Sequence, residues 1–550
     1  MNCSNKNKAG NDKGVVLVVV MLLLLMLSLI GIASITTSTS DMTVAGNELN
    51  QTGAFYAAES GIEKAAAAIV TSFETNGTPP SPLPSGSQTQ GAYQYSYSTV
   101  ADGSPVQMTL ADGAYRGLYG LVRKYNITST GLDNSGESSV TLKMAMQDAL
   151  IPLFQFAVFY QNDLEFSPST VMTLGGRVHA NGEVFLQSSG GLNINSYLTA
   201  AGNIHHGPKA GSGLGSLAGD VLIMDKNGAY QNMKNNDGTW LDASSAGWVN
   251  SSLSRWSGLV EDDAHGITQL EMPVVTDGPA TDLIDRGAGN NDSFELKAGL
   301  KFVDGQVYYL SAPGTWTNVT AAMIAQGVIT ARTFYDAREA QDVYSLDIDV
   351  QRLTASGYYP SNGVIYASVP AVSGVISGVR LRNATTLPRA TTFATDNPLY
   401  TVGNFNTVTK KPAAIMADAV TVLSSSWDDS RSTQPLGSRG ASATQLNASF
   451  ITGTTETGQD GHAYNGGLEN SLRLLESWNN VTMTWRGSAV SLWYSRQATG
   501  VWSYGNYYIA PTRDWAFDID LLNIANLPPG TPMVNIVQRT QWYQIFAAAQ

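Results

Sequence analysis

The scarcest reactive side chains are five histidines and one cysteine in a chain of 550 residues. His179, His205 and His206 lie in one region, where adjacent short strands could bring their rings together as metal ligands. A zinc site needs further ligands at definite spacing, and the sequence has neither an HxxxH pair nor a cysteine–histidine set. We therefore predict turn or surface histidines, no metal site and no cofactor.

Acidic clusters offer a second kind of chemistry. Residues 261–263 are Glu-Asp-Asp and are followed by His265, a composition that would serve an acid–base site. A solvated acidic loop explains the same residues, and we expect that loop. Residues 290–292 and 428–429 could bind calcium, although neither stretch has the spaced oxygen ligands of a recognised calcium loop.

Compact signatures of common catalytic sites are missing from the sequence. It contains no GxSxG elbow, no phosphate-binding glycine loop and no dinucleotide fingerprint. The single cysteine, Cys3, precedes the first apolar segment, so the rest of the chain has no thiol nucleophile. Paired carboxylates of a glycosidase stay possible, because their pairing is spatial and not sequential. We predict that the chain is not an enzyme.

Charge limits the range of partners. Charged side chains make up only 14% of the chain, and the net charge is −13. A nucleic-acid surface needs a basic footprint, so this balance argues against a nucleic-acid partner. The length suggests about three or four domains at roughly 150 residues each.

A long apolar run dominates the N-terminal region. Residues 15–35 form it, and no charge lies between Lys13 and Asp41. A helix that spans a bilayer needs about 20 apolar residues. Lys6, Lys8 and Lys13 precede the run, so the positive-inside rule places the short head (residues 1–14) in the cytoplasm and the body outside. The run exceeds the apolar core of a cleaved signal peptide, about 7–15 residues, and we predict a retained membrane anchor.

The elements that follow predict an α+β protein. Alanine-rich residues 36–75 have helical periodicity and continue the membrane helix outward. Residues 76–90 are rich in proline and glycine and predict a loop. Alternating residues in 91–150 predict an antiparallel meander, with turns at Asp-Gly and Asn-Ser-Gly.

The remaining chain is rich in β-strand signals. In residues 151–350 two stretches, 174–186 and 192–204, place small residues between short apolar strands, which predicts coils of a β-solenoid. An antiparallel sandwich is the alternative. Residues 351–550 predict a C-terminal β-rich domain whose dense aromatic side chains pack mainly in its core, with one late helix over 468–478.

The first 63 residues resemble the N-terminal region of PilX-type minor pilins. The match comprises a Lys-Gly junction, the apolar run that follows it, an AGN triplet and an AFYAAESGIE motif. The residues that carry it are Gly14, Val15, Ala45, Gly46, Asn47, Ala54, Phe55, Ala58, Glu59, Gly61 and Glu63.

This resemblance implies cleavage by a prepilin peptidase after Gly14 and N-methylation of the new amino terminus at Val15. Ordinary pilins carry a glutamate at the fifth mature position, and here that position is Val19. That carboxylate is thought to neutralise the amino terminus of a neighbouring subunit, since an unpaired charge in hydrocarbon costs several kcal/mol. A subunit without it is expected at a filament tip or in an initiation complex.

The sequence therefore predicts a membrane-anchored structural subunit of a type IV pilus or a related pseudopilus, which presents a large extracytoplasmic β-rich body. Its expected partners are other pilin or minor pilin subunits, the prepilin peptidase, the inner membrane and a surface glycan. The alternative is an anchored surface enzyme or binding protein that acts on polysaccharide.

Overall fold

The chain begins with one long helix. The computed structural model describes residues 12–76, 78–111, 115–136, 138–270, 278–289, 291–457, 464–503 and 505–545. Helix α1 spans Asp12–Asn76 without a break. At 1.5 Å per residue its length is on the order of 100 Å. The prediction of a long N-terminal helix followed by a β-rich body is confirmed.

An antiparallel meander packs on the second half of α1. Its strands in chain order are β1 (Ser85–Gln90), β2 (Tyr93–Ala101), β3 (Val106–Thr109), β4 (Tyr119–Asp133) and β5 (Ser139–Pro152). The prediction of a loop over residues 76–90 is wrong at β1, which pairs with β2 along its whole length. Every side chain of β1 is exposed, so no apolar alternation marks it in the sequence.

Short strands come next. They are β6 (Val158–Tyr160), β7 (Leu164–Phe166), β8 (Met172–Leu174), β9 (Val178–Ala180), β10 (Val184–Leu186), β11 (Leu192–Ile194), β12 (Leu198–Ala200), β13 (Ile204–His206), β14 (Val221–Met224), β15 (Tyr230–Asn232) and β16 (Val260–Glu261). Helix α2 (Trp248–Trp256) precedes β16.

The strands from β6 to β13 stack in parallel ladders with a constant offset, while β14 and β16 join these ladders at larger offsets and β15 pairs antiparallel with β14. Val158 pairs with Val178 and Val178 with Leu198, an offset of 20 residues each time. Strands β7, β10 and β13 repeat the same offset in a second ladder, and β8 and β11 repeat it in a third. The apolar side chains at the paired positions are buried inside the stack. We call residues 158–261 the first stack.

Most strands after the first stack are longer. They are β17 (Leu300–Val303), β18 (Gln306–Ala312), β19 (Thr315–Asn318), β20 (Ile329–Asp336), β21 (Gln341–Asp349), β22 (Val364–Ser368), β23 (Ile376–Arg382), β24 (Thr391–Thr395), β25 (Leu399–Val402), β26 (Ala413–Ala417), β27 (Val420–Leu423), β28 (Thr444–Asn447), β29 (Ser449–Thr452), β30 (Leu472–Leu474), β31 (Thr482–Gly487), β32 (Ala489–Ser491), β33 (Thr512–Phe517) and β34 (Met533–Ile545). The helices among them are α3 (Phe294–Lys297), α4 (Thr320–Ala325) and α5 (Val350–Ala355).

Residues 300–517 form a second stack that joins the first. Strands β22, β24, β26, β29 and β32 pair in parallel in that order, and β32 then pairs in parallel with β6. Strands of both stacks thus share one sheet, which β17, β18 and β19 extend at its far end.

The last strand returns to the beginning of the fold. β34 pairs antiparallel with β5 along its length, from Met533 beside Pro152 to Ile545 beside Thr141. The chain therefore leaves the meander after β5, builds both stacks and closes the meander again with β34.

The predicted helix over residues 468–478 is wrong. A 3-10 turn at Leu468–Asn470 is followed by β30, which pairs in parallel with β27. Leu472, Leu474 and Leu475 are buried in the stack. Pairing with a neighbouring strand overrides the local helical propensity here.

Candidate functional site

The apolar half of α1 is bare. Between Val15 and Ile35 its large apolar side chains are 45–67% exposed on every side of the helix. Among the described residues α1 is the one helix long and apolar enough to cross a membrane. Full burial of such a side chain is worth about 1.5–3 kcal/mol, so this surface requires lipid or other protein around it.

The half of α1 that carries motif residues 45–63, which we call the motif half, is packed on the meander. Ala54, Ala58, Ile62, Ala65 and Ile69 are fully buried at three- and four-residue spacing, which places them on one face. They contact a layer of apolar side chains from β4 and β5, namely Tyr125, Ile127, Val140, Leu142, Met144 and Met146. Small alanines bring the helix close to the sheet.

Two glycines permit this close approach. A Cβ on Gly131 of β4 would lie 2.6 Å from the Ala58 nitrogen and nearer still to the Ala54 carbonyl oxygen. A Cβ on Gly61 of α1 would lie 2.9 Å from the Tyr95 ring. At Gly131 the close atoms are backbone, so a side chain there would force helix and sheet apart, whereas at Gly61 the side chains of Tyr95 and Ser129 would have to shift.

The motif also contacts the last strand. Glu63 accepts two hydrogen bonds from the Arg539 guanidinium, at 2.8 and 2.6 Å. Phe55 meets Trp542 edge to face, with ring centroids 5.9 Å apart. Sequence reasoning missed both β34 partners. The alternation in 533–545 marks a strand, but nothing in the sequence shows that it pairs with β5.

The other motif positions lie on open surface. Beyond the neighbouring backbone of α1, no atom of the described residues lies within 4 Å of the place that a Cβ on Gly14 or Gly46 would occupy. Ala45 and Asn47 are exposed, Glu59 is half-buried, and Val15 is 65% exposed. The structure thus separates packed motif residues from residues that are free to contact another molecule.

The three histidines of the first stack are not brought together. His179 is fully buried, with Nδ1 2.8 Å from Thr199 Oγ1 and Nε2 3.0 Å from Asn181 Oδ1. Burial lowers its pKa to about 4, so the expected turn or surface position is wrong for this residue. His205 and His206 are half-buried on β13. Within the described ranges, no three His, Cys, Asp or Glu side chains converge as a metal site.

Residues 261–265 are not the solvated loop that the sequence predicts. Asp262 is fully buried, and its Oδ1 lies 2.8 Å from His265 Nδ1. His265 Nε2 lies 2.6 Å from Ser252 Oγ on α2. This connectivity is that of a serine–histidine–aspartate triad. Ser252 is fully buried, however, so its hydroxyl meets no substrate in this conformation and the network braces α2 against the first stack.

The two acidic stretches considered for calcium have other contacts. Asp428 caps a 3-10 turn, and Asp429 forms an ion pair of 2.6 Å with the buried Arg380. Asp292 lies 2.9 Å from the Lys297 ammonium, while Asn290 lies outside the described residues. Cys3, Lys6 and Lys8 also lie outside them.

Comparison with known proteins supports the N-terminal resemblance. Residues 13–63 match the family model described as PilX N-terminal. No curated protein matches the chain. The crystal structure of the competence-associated pilin ComZ from Thermus thermophilus aligns at 10% identity over 90% of this chain and 97% of that chain, with a TM-score of 0.26, which is too low to carry an argument. The predicted resemblance to PilX-type minor pilins is confirmed for the matched segment, which is pilin-like.

Proposed function

We propose that this chain is a membrane-anchored minor-pilin-like subunit of a type IV pilus or a related pseudopilus. The observation that carries the proposal is the division of α1 into two halves. Its motif half is buried on the meander, while its apolar half offers residues 15–35 as a bare surface. Such a helix suits a bilayer before assembly and the flanks of neighbouring subunits afterwards.

We place the subunit at the tip or in the initiation complex. Val19 occupies the position where ordinary pilins carry the carboxylate that pairs with a neighbour's amino terminus. Without that carboxylate the helix lacks the charge pairing that repeats along a shaft. The head before Gly14 would lie in the cytoplasm, and the prepilin peptidase would remove it and leave a methylated Val15.

The two stacks would form the part of the subunit that projects outward. Parallel ladders with a 20-residue offset support the interpretation of the first stack as a β-solenoid. Because the chain enters the stacks after β5 and leaves them before β34, the meander holds both ends of this body. It would present its surface to the cell's surroundings, including surface glycans, without disturbing α1.

Mass spectrometry of the mature N-terminus tests this proposal. We expect the purified protein to have the mass of residues 15–550 plus one methyl group. Gly14→Leu is expected to leave the head attached. Gly31→Leu is the matched control, because both glycines have open surroundings on the same helix, and it should leave trimming intact. An untrimmed amino terminus in wild-type cells that assemble pili would contradict the proposal.

A further inference from the structure

A cavity of about 320 Å³ opens between the two stacks. Ser167, Gln187 and the loop 214–217 line it from the first stack, while the second stack contributes most of the remaining wall. This volume lies near the lower end of the range of small-ligand sites, about 300–1,000 Å³. Because both stacks build it, the cavity exists only where the two halves of the body meet.

Aromatic rings form one wall of the cavity. Trp502 is half-buried, and Tyr464 meets it edge to face with ring centroids 5.9 Å apart. Tyr508 lies beside them, and its hydroxyl accepts a hydrogen bond of 3.0 Å from the Trp502 ring nitrogen. These contacts hold the Trp502 ring in place and leave it lining the cavity.

Two polar side chains on the cavity wall each have a buried atom without a partner among the described residues. Glu469 is 6% exposed, and its Oε1 accepts a hydrogen bond of 3.1 Å from the Ser167 nitrogen. Among the described residues its Oε2 is buried without a hydrogen-bond partner, and the same is true of Arg513 Nε. Buried polar atoms in proteins are nearly always hydrogen-bonded, so these atoms call for a partner beyond those that the described residues supply.

A second buried carboxyl group, that of Glu165, lies near Glu469. Among the described residues, Glu165 Oε2 is also buried without a hydrogen-bond partner. Burial raises the pKa of Glu165 to about 8 and that of Glu469 to about 7. The two carboxyl groups can therefore be protonated near neutral pH, which lets them donate as well as accept hydrogen bonds.

We infer that this cavity binds a neutral oligosaccharide, with a sugar ring packed on Trp502 and its hydroxyl groups bonded to the side chains of Glu469 and Arg513, which line the cavity. Sugar hydroxyls donate and accept, which suits a carboxyl group beside a guanidinium. The C–H faces of a pyranose ring suit an aromatic wall. An anionic ligand would face the Glu469 carboxyl group on a chain whose net charge is already −13. An apolar ligand would leave the polar atoms unpaired.

The site is assigned to binding and not to hydrolysis. A glycosidase needs two carboxyl groups that flank the scissile bond. Glu469 lines the cavity, whereas Glu165 is not among its lining residues. The inference goes beyond assembly into a pilus, because purified protein would bind sugar whether or not it enters a filament.

A printed array of neutral oligosaccharides built from glucose, galactose, mannose, N-acetylglucosamine and N-acetylgalactosamine tests the inference. The full chain is applied in a detergent without a sugar headgroup. We expect saturable binding to at least one oligosaccharide, followed by titration of that compound with tryptophan fluorescence and calorimetry. Failure to bind any compound on the array would overturn the inference, and so would hydrolysis of the bound compound.

Variants locate the binding. Trp502→Ala and Glu469→Gln should each weaken binding at least tenfold, and Ala510→Phe should block it by filling the cavity. Trp316→Ala is the matched control, since Trp316 is a half-buried tryptophan at the far end of the shared sheet. Binding is compared only among variants whose melting temperature equals that of the unchanged protein. Ala510→Phe leaves the Glu469 and Arg513 side chains in place. Binding that survives all three cavity variants would contradict the assignment.

Discussion

At Gly131 the backbone of β4 approaches the backbone of α1 with no side chain between them. We predict that Gly131→Ala destabilises the fold by about 1–3 kcal/mol, because its methyl group would meet the Ala54 carbonyl and the Ala58 nitrogen. The measurement is the thermal or chemical unfolding of the full chain in detergent. Gly46→Ala is the control, since a Cβ at Gly46 meets no described atom within 4 Å outside the backbone of α1 itself. Equal stability of the two variants would show that helix and sheet are not in this contact.

Buried carboxyl groups make stability depend on pH. Burial raises the pKa to about 8 for Glu165 and to about 7 for Glu469 and Glu476. A raised carboxyl pKa gives stability that is complete below the unfolded value and is lost as pH rises through the folded value. His179 and His206 make stability rise with pH, because burial lowers their pKa values to about 4. Their effect fades above about pH 6.5, where histidine is mainly neutral in the unfolded chain as well.

We therefore predict that the melting temperature falls as pH rises from about 6.5 to 8.5. Glu165→Gln should flatten this slope, because it removes the carboxyl group with the highest pKa of the three. Glu63→Gln, a change at an exposed carboxylate on α1, serves as the control and should leave the slope as it is. A melting temperature that rises over this range would contradict the buried positions of these groups.

Among the elements, the apolar half of α1 determines where the subunit can sit. We predict that Val19→Glu raises incorporation into the filament shaft several-fold, because it supplies a carboxylate for the amino terminus of a neighbouring subunit. Val18→Glu is the matched control. A carboxylate at position 18 has the same free-energy cost in the membrane, about 2.5–3.5 kcal/mol, but projects from a different side of the helix than one at position 19. Quantitative immunoblots of sheared filaments measure the effect, and equal amounts of both variants would contradict it.

Elements with a local signal were predictable from the sequence. The uncharged run 15–35 and the alanine-rich motif predict α1, and the alternation of Tyr93, Tyr95 and Tyr97 predicts β2. β1 was missed because all its side chains are exposed, so no apolar alternation marks it and its pairing with β2 leaves no signal in the sequence. The helix predicted over 468–478 failed because Leu472 and Leu474 gain more from a parallel neighbour than from a local helix.

The candidate site was predictable only in part. The AFYAAESGIE motif identifies the packed face of α1, but Arg539 and Trp542 join it from a strand more than 450 residues later in the chain. The cavity between the stacks is likewise lined by residues that are far apart in the sequence. Glu469 and Trp502 come from the second stack and Ser167 from the first, and no spacing in the sequence indicates that they meet.

At the scale of the whole molecule, the chain path links anchoring to presentation. The meander holds both ends of the body, since β5 leads into the stacks and β34 returns from them to pair with β5. The stacks in turn share one sheet through the pairing of β32 with β6. A large body can therefore project from the filament while α1 keeps its whole apolar half for lipid or neighbouring subunits.

Site-directed crosslinking in purified filaments tests the central claim most directly. Removal of the head would take away Cys3, the one native cysteine of this chain. Any crosslink through a thiol of this chain must then come from an introduced cysteine. Ser28→Cys places a thiol in the bare apolar half of α1, and Ser311→Cys places one on the exposed surface of β18. We predict crosslinks to another pilin subunit from position 28 and not from position 311. Filaments that lack this chain, or that show no crosslink from position 28, would contradict the account.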